Sequence, residues 1–360
     1  MTFQNYSMAN LAFDRFGIGT FSGELLLSTL FRWLISLPGL LFNAALLNTI
    51  ARDKNLDGTC SILLAIGSAV DFCYLLTFSI PLVISLVGQN LISNFCCYFL
   101  QCLPNFGLFS SVWIVFFVGF DRLISVLVPL RYNLLEEHFF LYLSPMLAVT
   151  FGYSIYVLAT AAQWTLFVYP DWPVLCGNGD MFSFGMSTIL LRNGLVINGV
   201  ALICYALVGL VLLRCWQKNP SAVVKHRIFK SLAAIMTLVV GSYLAVCVIR
   251  LLLAHVTNPL FVLHISPSIS ALFTVISASS NAPLLFAFSS EYRLAFHKHL
   301  RGWPLLGKWL IRMEQQTQIA VTVNFNAVNS SNVVSRVGPI TTITSSSTIT
   351  VAPMRMTSIE

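Results

Sequence analysis

Lipid is the solvent this sequence suits, and the fold it implies is all-α: a bundle of seven transmembrane helices, an amphipathic eighth helix and a disordered cytoplasmic tail. Three observations carry that expectation. First, 57% of the 360 residues are hydrophobic and only 9% are charged, against roughly 25% charged in an ordinary soluble domain. A soluble fold of this size has no interior large enough to hide so much apolar surface. Second, seven apolar stretches are each long enough, at about 1.5 Å per residue, to cross roughly 30 Å of hydrocarbon. Third, sixteen of the twenty Lys and Arg residues fall in alternate gaps between those stretches, the distribution expected of cytosolic segments. The net charge of +7 therefore marks one membrane face; no basic patch on a polar domain suggests nucleic acid as a partner.

Residues 1–24 form an extracellular tail on this reading. They lack the basic start and short apolar core of a cleavable signal peptide, so the first span acts as the insertion signal. Asn5-Tyr6-Ser7 is a glycosylation sequon on that tail, although Asn329-Ser330-Ser331 on the other side matches the same triplet. The membrane domain runs over 25–288, with spans near 25–50, 61–87, 97–120, 139–162, 187–213, 229–253 and 265–288. The second outer loop, 163–186, is the longest gap and is rich in Trp, Pro, Gly and Asp; the third inner loop, 214–228, is short and basic. No repeat relates the halves and no broken spans match in position, which disfavours a transporter. After the seventh span Phe288, Tyr292, Phe296 and Leu300 recur every four residues, giving an amphipathic helix over 289–303 that lies on membrane lipid. Pro304 and Gly307 end it. The tail, 304–360, is rich in Ser and Thr and has little that could form a core; its hydroxyls are candidate kinase and arrestin sites.

Three constellations stand out within this frame. Asp121-Arg122 closes the third apolar run, and Pro129-Leu130-Arg131-Tyr132 follows; an ion pair there is solvated at the cytosolic edge while still facing neighbouring helices. A plain stop-transfer flank is the alternative. Cys97 lies twenty-five residues before Arg122, about 37 Å along a helix and so at the opposite membrane face. Cys176 is the only cysteine of the long outer loop, and either Cys97 or the adjacent Cys96 is placed to bridge to it. Asp71 sits deep in the second span, where a carboxylate is costly enough to point to function. Asn43, Ser111, Ser279 and Asn281 are its candidate partners; together they would hold waters or a sodium ion, or else Asp71 is simply protonated and hydrogen-bonded. Arg32, Arg192 and Arg250 fall in outer halves of spans, facing either an anionic ligand or the outer headgroups.

Gly39-x-x-x-Asn43, Leu64-Ala65…Asp71, Cys97, Asp121-Arg122 through Pro129-Leu130-Arg131-Tyr132, Cys176, and Asn281-Ala282-Pro283-Leu284-Leu285-Phe286 ahead of Ser290-Glu291-Tyr292-Arg293-Leu294-Ala295-Phe296 together resemble the rhodopsin-like G-protein-coupled receptors over about 25–300. The closing segment is similar to the divergent nematode serpentine receptors of chemoreceptor type. The resemblance implies a plasma-membrane receptor that shifts between bundle arrangements when an unknown extracellular ligand binds, and that meets a heterotrimeric G protein through Arg122, the third inner loop and the eighth helix. It makes Asp121 the restraint on Arg122, Tyr205 the partner of Arg122 in the active state, Pro283 the bend of the seventh helix, and Asp71, Asn43 and Ser111 the central polar pocket.

Departures from the family pattern bear on coupling. Leu123 stands where a Tyr follows the Arg, and Phe286 replaces the Tyr three residues after Pro283. Asn281 lies two residues before that proline instead of one, about 100° round a continuous helix. The usual proline of the fifth span, tryptophan of the fourth and Trp-x-Pro of the sixth are missing; Gly241 is the candidate loosening point there. Pro104 occupies the position where amine receptors carry an aspartate, which disfavours a monoamine. Asn105 and Leu108, with Arg192 and Arg250, are the candidate ligand contacts. A receptor fold that has lost signalling and serves as a scaffold is the main rival, a transporter the next. Neither catalytic nor metal-ligand spacing suggests an enzyme or a cofactor.

Overall fold

The computed structural model describes residues 22–218 apart from 57, 183 and 184, residues 265–303, residue 307 and scattered positions between 238 and 249. The sixth span near 229–253, the third inner loop, Asn5, Arg250 and the tail beyond 307 lie wholly or mainly outside the described residues.

Helix α1, Gly23–Arg52, starts on the side chain of Ser22, which accepts from the Leu25 N–H at 3.4 Å, a standard N-cap. The second span is α2, Thr59–Leu75, and α3, Ser79–Leu86, joined by a 3-10 turn over Leu76–Phe78. Pro81 accounts for that tighter turn, since it has no N–H to give the Thr77 carbonyl one turn back. The third span is α4, Asn94–Leu127. A short helix, α5, Pro129–Glu137, follows with Pro129 in its first turn, the position where a missing N–H costs nothing. Helix α6, Phe139–Ala162, runs on as a π-turn to Val168, and α7, Met186–Lys218, supplies the fifth span. The seventh is bent by 44° between α8, Ser266–Ser279, and α9, Asn281–Phe288. Helix α10, Ser290–Leu300, is the amphipathic eighth. Among the described residues five helices are long and apolar enough to cross a membrane, or six when the bent pair counts as one span.

The bundle is built for lipid in its pattern of burial. Leu27, Leu34, Ile155, Tyr156, Val196 and Ile203 are exposed, while Ser36, Asn43, Ser68, Asp71, Gln101, Asn105, Ser110 and Ser154 are buried. Water would favour the reverse. Interior hydroxyls find acceptors in their own helices, as Thr150 does on the Met146 carbonyl at 2.8 Å, or across helices, as Ser110 and Ser154 do at 2.9 Å. Small residues let the second and third spans touch. A Cβ at Gly107 would meet the Val70 carbonyl oxygen and the Tyr74 nitrogen, so two backbones approach there as closely as glycine permits.

Helix α10 folds back on the bundle. Tyr292, Ala295, Phe296 and Leu300 are buried, whereas Phe288, assigned to the same stripe from the sequence, is 37% exposed because the chain breaks at Ser289. The Tyr292 hydroxyl pairs with Ser61 of α2 at 2.9 Å, and Lys298 and His299 reach Asp53 beyond α1 at 3.5 and 3.3 Å. Arg293 donates to the carbonyls of Phe286 and Ala287, both at 3.1 Å, capping the end of α9.

Candidate functional site

One end of the bundle is organised by a disulfide. Cys97, on α4, and Cys176 are bonded with Cα atoms 5.4 Å apart; Cys96 is exposed and free. The choice follows from register: strand β1, Ile92–Ser93, pairs antiparallel with β2, Pro173–Val174, and the Asn94 N–H donates to the Trp172 carbonyl at 2.9 Å. Beyond the bridge the loop enters the bundle. Met181 and Phe182 are 1% and 5% exposed and pack with Tyr98, Phe109, Val157, Leu158 and Ala161. Gln101 holds the loop by donating to the Cys176 carbonyl at 2.8 Å, and Thr77 donates to the Gln101 oxygen at 2.7 Å. Asp180 accepts from the Gly177 N–H at 2.8 Å. Burial pushes the Asp180 carboxyl above the usual carboxylate range, while the Gly177 bond and the Arg32 charge oppose the rise.

Of the ligand candidates, Asn105 is fully buried beneath this loop and Leu108 touches both apolar clusters that meet there. Arg192 is exposed, so the structure does not bring it to them. Arg32 turns back on Ser28, its Nε donating to the Ser28 carbonyl at 3.1 Å.

Midway along the bundle Asp71 receives the Ser111 hydroxyl at 2.5 Å and the Asn281 amide at 3.4 Å. Asn281 is the first residue of α9, just after the break at Ser280. Asn43 does not join them: its amide donates to the carbonyls of Ala278 at 2.9 Å and Gly39 at 3.1 Å, tying α1 to α8. Ser279 bonds back to the Val275 carbonyl at 2.6 Å. Of the four partners expected from the sequence, Ser111 and Asn281 therefore reach Asp71, while Asn43 and Ser279 are bonded to helix carbonyls.

The opposite end centres on Asp121, which is fully buried. Its carboxylate accepts from the hydroxyls of Tyr132 at 3.2 Å and Tyr142 at 3.3 Å; Thr59 shares a hydrogen bond with the Tyr132 hydroxyl at 2.5 Å and lies 3.4 Å from the carboxylate, and the Arg122 Nε lies 3.8 Å away. Four elements, α2, α4, α5 and α6, therefore converge on one charge, which is what a buried carboxylate requires. Burial, and after it the Asp121 charge, push the Tyr132 phenol up to about 12, against the Thr59 bond and the Arg122 charge. Tyr132 thus remains a donor at any physiological pH. Arg122 is a quarter exposed, and its Nε also donates to the buried Cys60 sulfur at 3.0 Å. One turn before it, a Cβ at Gly119 would overlap the ring of Tyr205, so Tyr205 of α7 lies directly on α4 beside the charged pair. Phe286 packs on Phe296 with ring centroids 6.1 Å apart.

Thr59, Tyr142, Cys60 and Gly119 were not singled out from the sequence. Thr59 and Tyr142 are separated from Asp121 by 62 and 21 residues, and nothing local marks them. Gly119 carried a weaker signal, as a small residue one turn before Arg122.

A bundle of apolar helices with a disulfide-tied loop packed into one end and a hydroxyl-clamped Asp-Arg pair at the other defines a seven-transmembrane receptor of the G-protein-coupled type. The family model for serpentine type 7TM GPCR chemoreceptors, Srsx, matches residues 36–300, and the chain belongs to that family. It is accordingly a multi-pass membrane protein of a non-enzyme class. No curated protein matches the chain.

Proposed function

We propose that this chain sits in the plasma membrane with its N-terminus outside and its C-terminus in the cytosol, binds an extracellular chemical at the disulfide end, and activates a heterotrimeric G protein at the Asp121 end. The observation that carries the reading is the clamp on Asp121. A guanidinium beside a carboxylate held by a network of three hydroxyls from other elements is a two-state device: Arg122 is restrained while the helices stay together and released when they part. Ligand binding does work at a distance only by favouring one of those arrangements. Pro129, in the first turn of α5, brings Tyr132 back to Asp121. Pro283 and Asn281 place the bend of the seventh span beside Asp71 and Ser111, so a movement there has a polar contact to break. Tyr205 is set to meet Arg122 once it is free. The Ser- and Thr-rich tail supplies kinase and arrestin sites, and lipid surrounds the apolar faces.

The test is ligand-independent nucleotide exchange on G proteins, comparing the unaltered chain with Arg122→Ala and Asp121→Ala at matched surface expression. Arg122→Ala abolishes exchange and Asp121→Ala raises it on this account. Equal output from all three supports instead a scaffold that has lost signalling, a reading favoured by Phe286, which lodges against Phe296 without a hydroxyl to offer.

A further inference from the structure

We propose that Cys60 is a positioning residue for the switch: its sulfur accepts the Arg122 Nε–H and sets where the guanidinium rests until it is released. The inference rests on reading Arg122 as the side chain that is freed toward the G protein.

An arginine Nε carries a single hydrogen, so the bond it makes has one direction. In Arg122 that hydrogen is given to the Cys60 sulfur at 3.0 Å. The Oδ2 of Asp121 stands 3.8 Å from the same nitrogen, beyond the roughly 2.7–3.2 Å of an N–H···O bond. The carboxylate therefore attracts the guanidinium without aiming it. Asp121 has donors of its own in the Tyr132 and Tyr142 hydroxyls, at 3.2 and 3.3 Å. Holding Asp121 and holding Arg122 are thus separate tasks, and the second falls to α2.

The start of α2 is suited to that task. Thr59, Cys60 and Ser61 are its first three residues, and successive side chains on a helix fan out by about 100°. Each of the three meets a different element. Thr59 bonds the Tyr132 hydroxyl of α5 at 2.5 Å, Cys60 takes the Arg122 Nε–H of α4, and Ser61 bonds the Tyr292 hydroxyl of α10 at 2.9 Å. Cys60 is 6% exposed, and the bonds of its two neighbours fix the backbone that carries it. Sulfur is a weak acceptor, so this contact directs the guanidinium without gripping it as a carboxylate would. A small displacement of α4 against α2 is enough to break it. Arg122 then turns to other partners, and Tyr205 of α7 lies one turn away over Gly119.

Nuclear magnetic resonance of the purified full-length receptor, labelled with nitrogen-15 arginine, reads the contact without any G protein. Arg122→Lys identifies the Arg122 Nε–H signal by deleting it. Exchange of that hydrogen with water should be about fivefold or more faster in Cys60→Ala and Cys60→Val, the factor one net hydrogen bond is worth. Both replacements suit an apolar place and offer no acceptor, and either decides the matter if the other fails to fold. Cys60→Ser, which keeps an acceptor, should restore slow exchange. At matched surface expression the Ala and Val variants should also raise ligand-independent nucleotide exchange on G proteins. Nε–H exchange unchanged in Ala and Val, or accelerated as much in Ser, overturns the proposal; so does faster Nε–H exchange with unaltered basal signalling. A chain that activates no G protein fails the receptor reading instead, and the Nε–H comparison still decides whether Cys60 places Arg122.

Discussion

Asp121 owes its place in the interior to its donors, and the loss of any one is felt by the whole clamp. Tyr142→Phe keeps the ring and removes one hydrogen bond to a buried carboxylate, a change that costs about 1–3 kcal/mol. The state in which Asp121 is held becomes less favoured by that amount, so ligand-independent nucleotide exchange should rise by about fivefold or more while surface expression holds; an unchanged basal rate would remove Tyr142 from the clamp. Tyr132 adds a sign for pH. Its phenol is raised from 10.0 to about 12, so the contribution of the protonated form is complete below the unfolded value and is lost only as pH climbs through the folded one. The clamp should not loosen between mildly acidic and mildly alkaline conditions on account of this residue. The sequence sets Asp121 and Tyr132 in one motif, eleven residues apart, without bringing them into contact. The contributions of Thr59 and Tyr142 are not legible there, since each depends on how separate helices pack.

Among the elements, the contact between α2 and α4 and the loop ending in Met181 and Phe182 invite opposite substitutions. Gly107→Ala places a methyl group against the backbone of Val70 and Tyr74, and the backbones must separate to admit it. A cost of about 1–3 kcal/mol should appear as reduced surface expression and a lower unfolding midpoint. Gly152→Ala, with nothing within 4 Å, should change neither. In the loop, Asp180 has a raised pKa, so folding disfavours its charged form and the loop gains stability as pH falls through that value. Asp180→Asn retains an acceptor for the Gly177 N–H and removes the buried charge. Amide exchange over 176–182 should therefore be slower in the variant at neutral pH, with the difference closing on acidification. A variant that exchanges faster at neutral pH would show that attraction to Arg32 outweighs burial. Apolar length marks where spans lie but not where helices end: α4 runs to Leu127, past the end near 120 expected from hydropathy. The 3-10 turn before Pro81, the break at Ser280 and the short helix α5 arise where the ladder of hydrogen bonds fails, which hydropathy does not register.

At the scale of the molecule, two ends with different chemistry are joined by a polar interior. A packed apolar cluster lies under the disulfide-tied loop; a clamped ion pair lies at the far end; Asp71, Ser111 and Asn281 lie between. Charge alternation along the chain predicts which end faces the cytosol, because membrane insertion sorts Lys and Arg by side. The partners of Asn43 and Ser279 were not legible, because a polar side chain on a helix has its own carbonyl ladder within reach, and the Gly39 and Val275 carbonyls serve these two. The central claim is that the chain carries a signal from outside to inside, and sidedness tests it most directly. Intact cells displaying the unaltered chain, or a Leu130→Cys variant at a position 83% exposed on α5, are treated with a membrane-impermeant thiol reagent. The account predicts labelling of Cys96 in intact cells and labelling of the introduced cysteine only after permeabilisation. Labelling at position 130 in intact cells, with Cys96 protected, would contradict it.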